Sequence, residues 1–405
     1  MTQAVARSLL AVAVLLGVAA CAGPGRLPAV PQSLTDAAEI PGMPGVRYRS
    51  DDIEALLADV LDSLRREEDW RKTQIETGPA PAEVYLAVSG GGDNGAFGAG
   101  LLVGWSEAGT RPEFTLVTGI STGALTAPFA FLGPDYDDKL KEVYTTISAD
   151  DVLTRRGFMA AVNNDAMADS RPLWDFVSRY ADEDLLSAIA REYNKGRELL
   201  VATTDLDARA SVIWNMGKIA ASGHPDALNL FRSVLIASAA IPGAFPPVMI
   251  DVEVDGQSYQ EMHVDGGVMA QVFLYPTSFN LLEAAERHDI KVREARLYII
   301  RNARLAADWA SVERRTMPIA GRSIGTLIQT QGIANLFWLY AIAQRDDVDY
   351  NLAFIGPEFD VEKPGQFDTG YMNALYDYGY ALGKAGYDWR KTPPGLEGAI
   401  VIDAE

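Results

Sequence analysis

The chain has 405 residues, is 48% hydrophobic, and carries a formal net charge of −20 with one cysteine and three histidines. This is the composition of a folded globular protein of one large or two ordinary domains, and it excludes a disordered chain. The acidity argues against a nucleic-acid partner, whose phosphates need basic surface, and gives no general pull toward anionic lipid heads; one cysteine rules out an internal disulfide, and with three histidines it makes no rich metal site.

Arg7 is the only charge before an apolar run from Leu9 to Ala20. The run is too short to cross a bilayer, which takes about 20 apolar residues. A short charged start, a short apolar core and small residues at its end make a secretory signal. The run closes on Val18-Ala19-Ala20-Cys21, which resembles the lipobox of bacterial lipoproteins, where the cysteine is lipidated and becomes the mature N-terminus. An ordinary signal cleaved after an alanine is the plainer alternative. With Ala22 next, the expected address is the periplasmic face of the outer membrane. Residues 22–46, rich in Pro, Gly and Ala, read as a tether. Residues 51–77 have helical spacing, with Ile53, Leu56, Leu57, Val60, Leu61 and Leu64 on one stripe, as in a helix packed on the main body.

Residues 84–89 are apolar and β-branched, as in a buried parallel strand. Gly90, Gly91, Gly92, Asp93, Asn94 and Gly95 follow at once, and a helix is predicted from Ala96 to Trp105. Such a turn aims backbone N–H groups at the positive end of a helix and binds an anion, either a phosphate or a transient oxyanion. The next strand, Phe114 to Thr118, runs into Gly119-Ile120-Ser121-Thr122-Gly123 and an Ala-rich helix beginning near Ala124. A G-x-S-x-G pattern alone is weak, but strand, turn and helix in this order are what a nucleophile elbow requires. Far downstream, Glu261-Met262-His263-Val264-Asp265-Gly266-Gly267 carries an acid followed by two glycines after a strand-like approach. If Asp265 reaches the Ser121 hydroxyl it can accept the proton during attack, provided burial makes it a stronger base than usual.

These pieces in this order resemble the patatin-like phospholipases. That family has a glycine-rich oxyanion loop, a G-x-S-x-G nucleophile and a D-G-G or D-G-A base. Two further segments are similar: Thr203-Thr204-Asp205-Leu206-Asp207, and the run from Ser238 to Pro247 that fits S-x-A-x-P-x-x-F-P-P. The matches span about residues 84–280. The resemblance implies a three-layer α/β/α fold with a mainly parallel central sheet. It implies a Ser121–Asp265 dyad without histidine, working through an acyl-enzyme on lipid esters, with oxyanion donors from the glycine-rich loop and neither cofactor nor metal. One position departs from the pattern: Asn94 stands where the family usually has Arg or Lys, which puts preference for anionic phospholipid in doubt.

Other readings stand beside these. Ser121 could be a turn serine and Asp265 a turn former. His263 lies two residues from Asp265, on the same side of a strand. His288 completes the order Ser121, Asp265, His288 of α/β-hydrolases, though within a polar stretch. Gly90-x-Gly92-x-x-Gly95 also fits a dinucleotide fingerprint, but the second strand lacks the acid that fold wants. A non-catalytic lipoprotein on a hydrolase fold is the remaining alternative.

Asp205 and Asp207 are read as caps after a strand, and Tyr371, Tyr376, Tyr378 and Tyr380 as helix packing. Further strands are predicted over 199–203, 211–214, 295–300 and 351–355, and a closing helix over 370–385. A long helix over 324–343 reads as a buried or lid helix. The expected plan is a signal over 1–20, a tether over 21–50 and a helical extension over 51–80. A catalytic core over 81–285 and a C-terminal α/β extension over 286–405 complete it.

Overall fold

A computed structural model gives the fold and describes residues 25–74, 78, 80–152, 154–155, 168–169 and 171–396. Its centre is a nine-stranded sheet. The strands are β1 (Arg47–Arg49), β2 (Glu83–Val88), β3 (Leu116–Gly119), β4 (Glu198–Asp205), β5 (Ala210–Asn215), β6 (Val248–Val254), β7 (Gln257–Asp265), β8 (Ala295–Arg304) and β9 (Val348–Ile355). The order is β1-β5-β4-β3-β2-β8-β9, and β4, β3, β2, β8 and β9 are mutually parallel. The hairpin β6–β7 joins through β7, which runs antiparallel to the far end of β4.

Alternation along the parallel strands feeds two faces. Leu86, Val88, Leu199 and Val201 point into one core, while Ala87, Leu297, Ile299 and Leu352 point into the opposite one. The first face is covered by α2 (Gly95–Glu107), α3 (Thr122–Leu132), α4 (Asp137–Thr145), α5 (Ala227–Ala239) and α7 (Thr369–Ala385). The second is covered by the C-terminal part of α6 (Thr316–Arg345), and beside it α1 (Ile53–Thr73) packs on Tyr48, Leu200 and Ile213. The result is the three-layer α/β/α arrangement expected of the sequence. Among the described residues no helix is long and apolar enough to cross a membrane.

The closest helix pair positions the site. A Cβ on Gly100 or Gly104 would lie 2.1 or 2.2 Å from the carbonyl oxygens of Tyr376 or Tyr380. From the other side, a Cβ on Gly379 or Gly383 would lie 2.4 or 2.3 Å from the carbonyl oxygens of Phe97 or Leu101. Two small-residue stripes thus let α7 lie directly on α2, whose first residue ends the glycine-rich loop.

Three expectations change. The stretch expected as a tether through residue 50 is docked from Arg26 onward. Arg26 binds Asp207, Gln260 N–H donates to Pro28 O, Glu39 bridges to Glu253, and β1 pairs with β5. The segment beyond residue 285 is no appended extension, because β8 lies between β2 and β9 within the sheet. Helix α6 starts at Thr316, and only its second half is buried, through Leu336, Leu339 and Ala343. Its first half is mostly exposed and is held to the end of β8 and the loop after it, by Gln329 Nε2 donating to Arg304 O at 3.0 Å and by Arg322 on Asp308. The signal and Cys21 lie outside the described residues.

Candidate active site

The site lies where the C-terminal ends of β2 and β3 meet β7. Strand β4 brings the last two together. Its first half pairs with β3 up to Gly119 opposite Val201, and its second half pairs with β7, with Thr203 opposite Asp265. Ser121 and Asp265 therefore reach the same edge although 144 residues separate them.

Ser121 has φ 56° and ψ −126°, a left-handed conformation that costs a non-glycine residue about 1–3 kcal/mol. The surroundings hold it there. Its N–H donates to Ser238 Oγ at 3.0 Å, and that hydroxyl donates to Ala202 O at 2.7 Å. The flanking glycines are dictated by contact: a Cβ on Gly119 would lie 2.5 Å from Gly123 O, and one on Gly123 would lie 2.2 Å from Val88 O. Ile120 is buried under the turn, and the Thr122 hydroxyl is fixed by Tyr144 at 2.7 Å.

Ser121 Oγ donates to Asp265 Oδ2 at 2.6 Å. The other carboxylate oxygen accepts the Gly267 N–H at 2.7 Å, so the base motif fixes the acid's rotamer. Gly266 packs on Ala202 O, where a Cβ would stand at 2.5 Å. Burial pushes the Asp265 carboxyl up to about 6, against the opposing pull of the Ser121 hydroxyl and the Gly267 N–H. A carboxylate of that strength, in contact with a serine proton, can take it at neutral pH.

The glycine-rich loop lies beside the dyad, and a Cβ on Gly90 would stand 3.2 Å from the Ser121 Cβ. Of the six residues Gly90 to Gly95 in the expected anion-binding turn, three have their N–H groups engaged within the protein. Gly90 N–H is engaged by Gln271 O at 3.0 Å, Asn94 N–H by Gly91 O at 3.2 Å, and Gly95 N–H by the carbonyls of Gly92 and Asp93. The N–H groups at the head of the turn, on Gly91, Gly92 and Asp93, have no preceding helical carbonyl to bond. The Asp93 carboxylate is buried and accepts from Lys363 Nζ at 2.5 Å and Phe367 N–H at 2.9 Å. Its charge is thereby compensated from the C-terminal loop. Asn94, the position that departs from the family pattern, accepts from the Tyr371 hydroxyl at 2.9 Å and is thereby tied to α7.

The histidines do other work. His263 is fully buried between Thr203 Oγ1 at 2.8 Å and Glu261 Oε2 at 3.0 Å, and Glu261 in turn binds Arg47. Both ring nitrogens are thus engaged away from Ser121. His288 caps the exposed end of helix Leu281–Arg287. Asp205 caps its turn by accepting from the N–H groups of Asp207 and Ala208.

Reasoning from the sequence missed Ser238, Gln271 and Lys363 as supports. Ser238 opens a segment that carried the resemblance, so a signal existed; nothing around Lys363 pointed to Asp93. A cavity of about 1100 Å³, lined by residues of the 29–59 and 205–218 stretches and by Glu261, does not include the dyad. Among the described residues, no group of three or more His, Cys, Asp or Glu could hold a metal ion.

No curated protein matches the sequence. Among solved structures, VipD from Legionella pneumophila aligns loosely, at 13% identity and a TM-score of 0.36, over 76% of this chain and 67% of that one. The family model for patatin-like phospholipase matches residues 86–277, a span that begins in β2 and ends just past the Asp265 motif. Residues 86–277 of this chain are a patatin-like phospholipase domain.

Proposed function

We propose that this chain is a serine hydrolase of lipid carboxylic esters, with Ser121 as nucleophile and Asp265 as its base. Ser121 Oγ attacks the ester carbonyl while its proton passes to Asp265 Oδ2. Negative charge then gathers on the carbonyl oxygen, facing the N–H groups of Gly91, Gly92 and Asp93. Each such donor typically lowers the barrier by about 3–4 kcal/mol. Collapse expels the alcohol, which leaves with the proton from Asp265, and an acyl-Ser121 remains. Water then attacks the acyl carbonyl, gives its proton to Asp265, and the acid departs as Ser121 recovers it.

The observation that carries this reading is the 2.6 Å contact between Ser121 Oγ and Asp265 Oδ2, made by a serine held at φ 56°. A non-catalytic lipid-binding role has no use for that strain or for a buried, uncompensated carboxylate. By the same proposal the mature chain is an exported lipoprotein held at the outer membrane by a lipid on Cys21. The support for this last step is the motif Val18-Ala19-Ala20-Cys21 alone.

The test is a panel of p-nitrophenyl esters and phospholipids given to the parent chain, Ser121→Ala and Asp265→Asn. The parent should release acid, and both variants should lose activity by two or more orders of magnitude. Full activity in Ser121→Ala refutes the assignment.

A further inference from the structure

Helix α6 begins outside the body of the protein and joins it only in its second half. From Thr316 to Thr330 nearly every residue is exposed, including Gly321 and Gly325, and the loop before it carries Trp309 at 89% exposure. Met317 and Leu327 are each 68% exposed, Ile324 57% and Trp338 55%, with Ile328 beside them. At 100° per residue, Met317, Ile324, Leu327, Ile328 and Trp338 fall within one arc about 100° wide. That is the apolar stripe a surface helix normally buries in a core. Here it faces solvent, and exposed apolar patches of this kind mark interaction sites.

Two observations choose the occupant. The first is charge. From Arg314 to Gln344 there is no Asp or Glu, in a chain that holds 55 of them, and at its outer end Arg315 pairs with Glu313 and Arg322 with Asp308, which leaves this end near neutral beside Arg314. This face escapes the repulsion that the acidic remainder would feel at a phospholipid surface. The second is position. On the same arc, Gln331 Nε2 donates to Met269 O at 2.8 Å and to Val268 O at 3.3 Å. The side chains of Val268 and Met269 are exposed and directly follow the Gly267 that fixes Asp265. Leu327 and Ile328 lie one helical turn from Gln331, so the apolar stripe is continuous with the rim of the dyad.

We propose that the outer half of α6, with Trp309, docks the protein on a phospholipid bilayer surface and presents the Ser121 site to it. The helix lies in the interface with its apolar arc among the acyl chains and its arginines at headgroup level. Such docking is separate from any lipid on Cys21, and it supplies the membrane contact that the overall charge does not.

The experiment uses the full chain bearing Cys21→Ser, so that no acyl anchor can carry it. It is floated with vesicles of equimolar phosphatidylcholine and phosphatidylglycerol, and compared with the same chain carrying Met317→Asp and Leu327→Asp. Both sites are exposed, so the melting temperature should not move. Partition should fall more than about tenfold, since two side chains lose their apolar burial. Brominated acyl chains should quench tryptophan emission, and Trp309→Phe with Trp338→Phe should remove most of the quenched signal. No flotation of the Cys21→Ser chain, or equal flotation of the aspartate variant, overturns the proposal. So does light scattering that finds a dimer which ignores vesicles and dissociates in the aspartate variant, because the stripe would then be a self-interface. Binding is read without turnover, so the outcome is independent of whether Ser121 is the nucleophile.

Discussion

Replacing Asp265 by asparagine should separate the cost of a buried charge from the chemistry that needs it. Burial holds this carboxyl at about 6, against an ordinary value of 3.8. A pKa that is higher in the folded state means folding favours the protonated form. Stability from this group is therefore complete below about pH 4 and lost as pH rises through about 6. Two pH units at about 1.36 kcal/mol each make the ionised group cost about 3 kcal/mol at neutral pH. Asparagine has the same shape, keeps an oxygen for the Gly267 N–H, can donate to the Ser121 hydroxyl, and carries no charge. With an unfolding entropy of about 2.1 cal/mol/K per residue, a chain of this length has about 0.8 kcal/mol/K in total. The variant should thus melt about 4 °C above the parent near pH 7.5, and the gain should shrink toward pH 4. Calorimetry of both proteins across that range reads it, with ester turnover falling about 10²–10⁴-fold in parallel. A melting difference that does not change with pH, or one that grows toward acid, would refute the reasoning.

Further outcomes follow from the same contacts. In the parent, kcat/KM should fall about tenfold per pH unit below about 6, because the protonated Asp265 cannot accept from Ser121; a flat profile down to pH 5 contradicts Asp265 as base. Ser238→Ala should leave the Ser121 N–H without its acceptor, cost about 1–3 kcal/mol by denaturant unfolding, and lower kcat with KM little changed. Gly123→Ala puts a Cβ 2.2 Å from Val88 O and should abolish soluble expression, whereas Gly325→Ala meets open space and should not. Labelling cells with radioactive palmitate should mark the parent chain and not Cys21→Ser.

The site was legible where chemistry is written locally. A strand running into glycines, a serine between glycines, and Asp-Gly-Gly after a strand are short-range rules about turns and caps, and each reappears as geometry. The parallel strands were legible for the same reason, since buried strands read as apolar runs. What escaped depends on distant partners. The Asp93 carboxylate looked like part of the oxyanion loop, yet it is bound by Lys363, which is 270 positions away. His263, two residues from Asp265, is a structural histidine whose partner Glu261 is held by Arg47, from a stretch rich in Pro and Gly that looked like tether. Strand β8 was recognised as a strand, but no pattern within Ala295–Arg304 says that it inserts beside β2. Apolar periodicity in 324–343 likewise announced a helix without saying that its first half stays exposed.

The most direct measurement is reaction of the intact protein with a fluorophosphonate, followed by peptide mass mapping. The account predicts one adduct, on Ser121, absent from Ser121→Ala and formed far more slowly in Asp265→Asn. An unreacted Ser121, or lipid-ester hydrolysis that persists in Ser121→Ala, would contradict it.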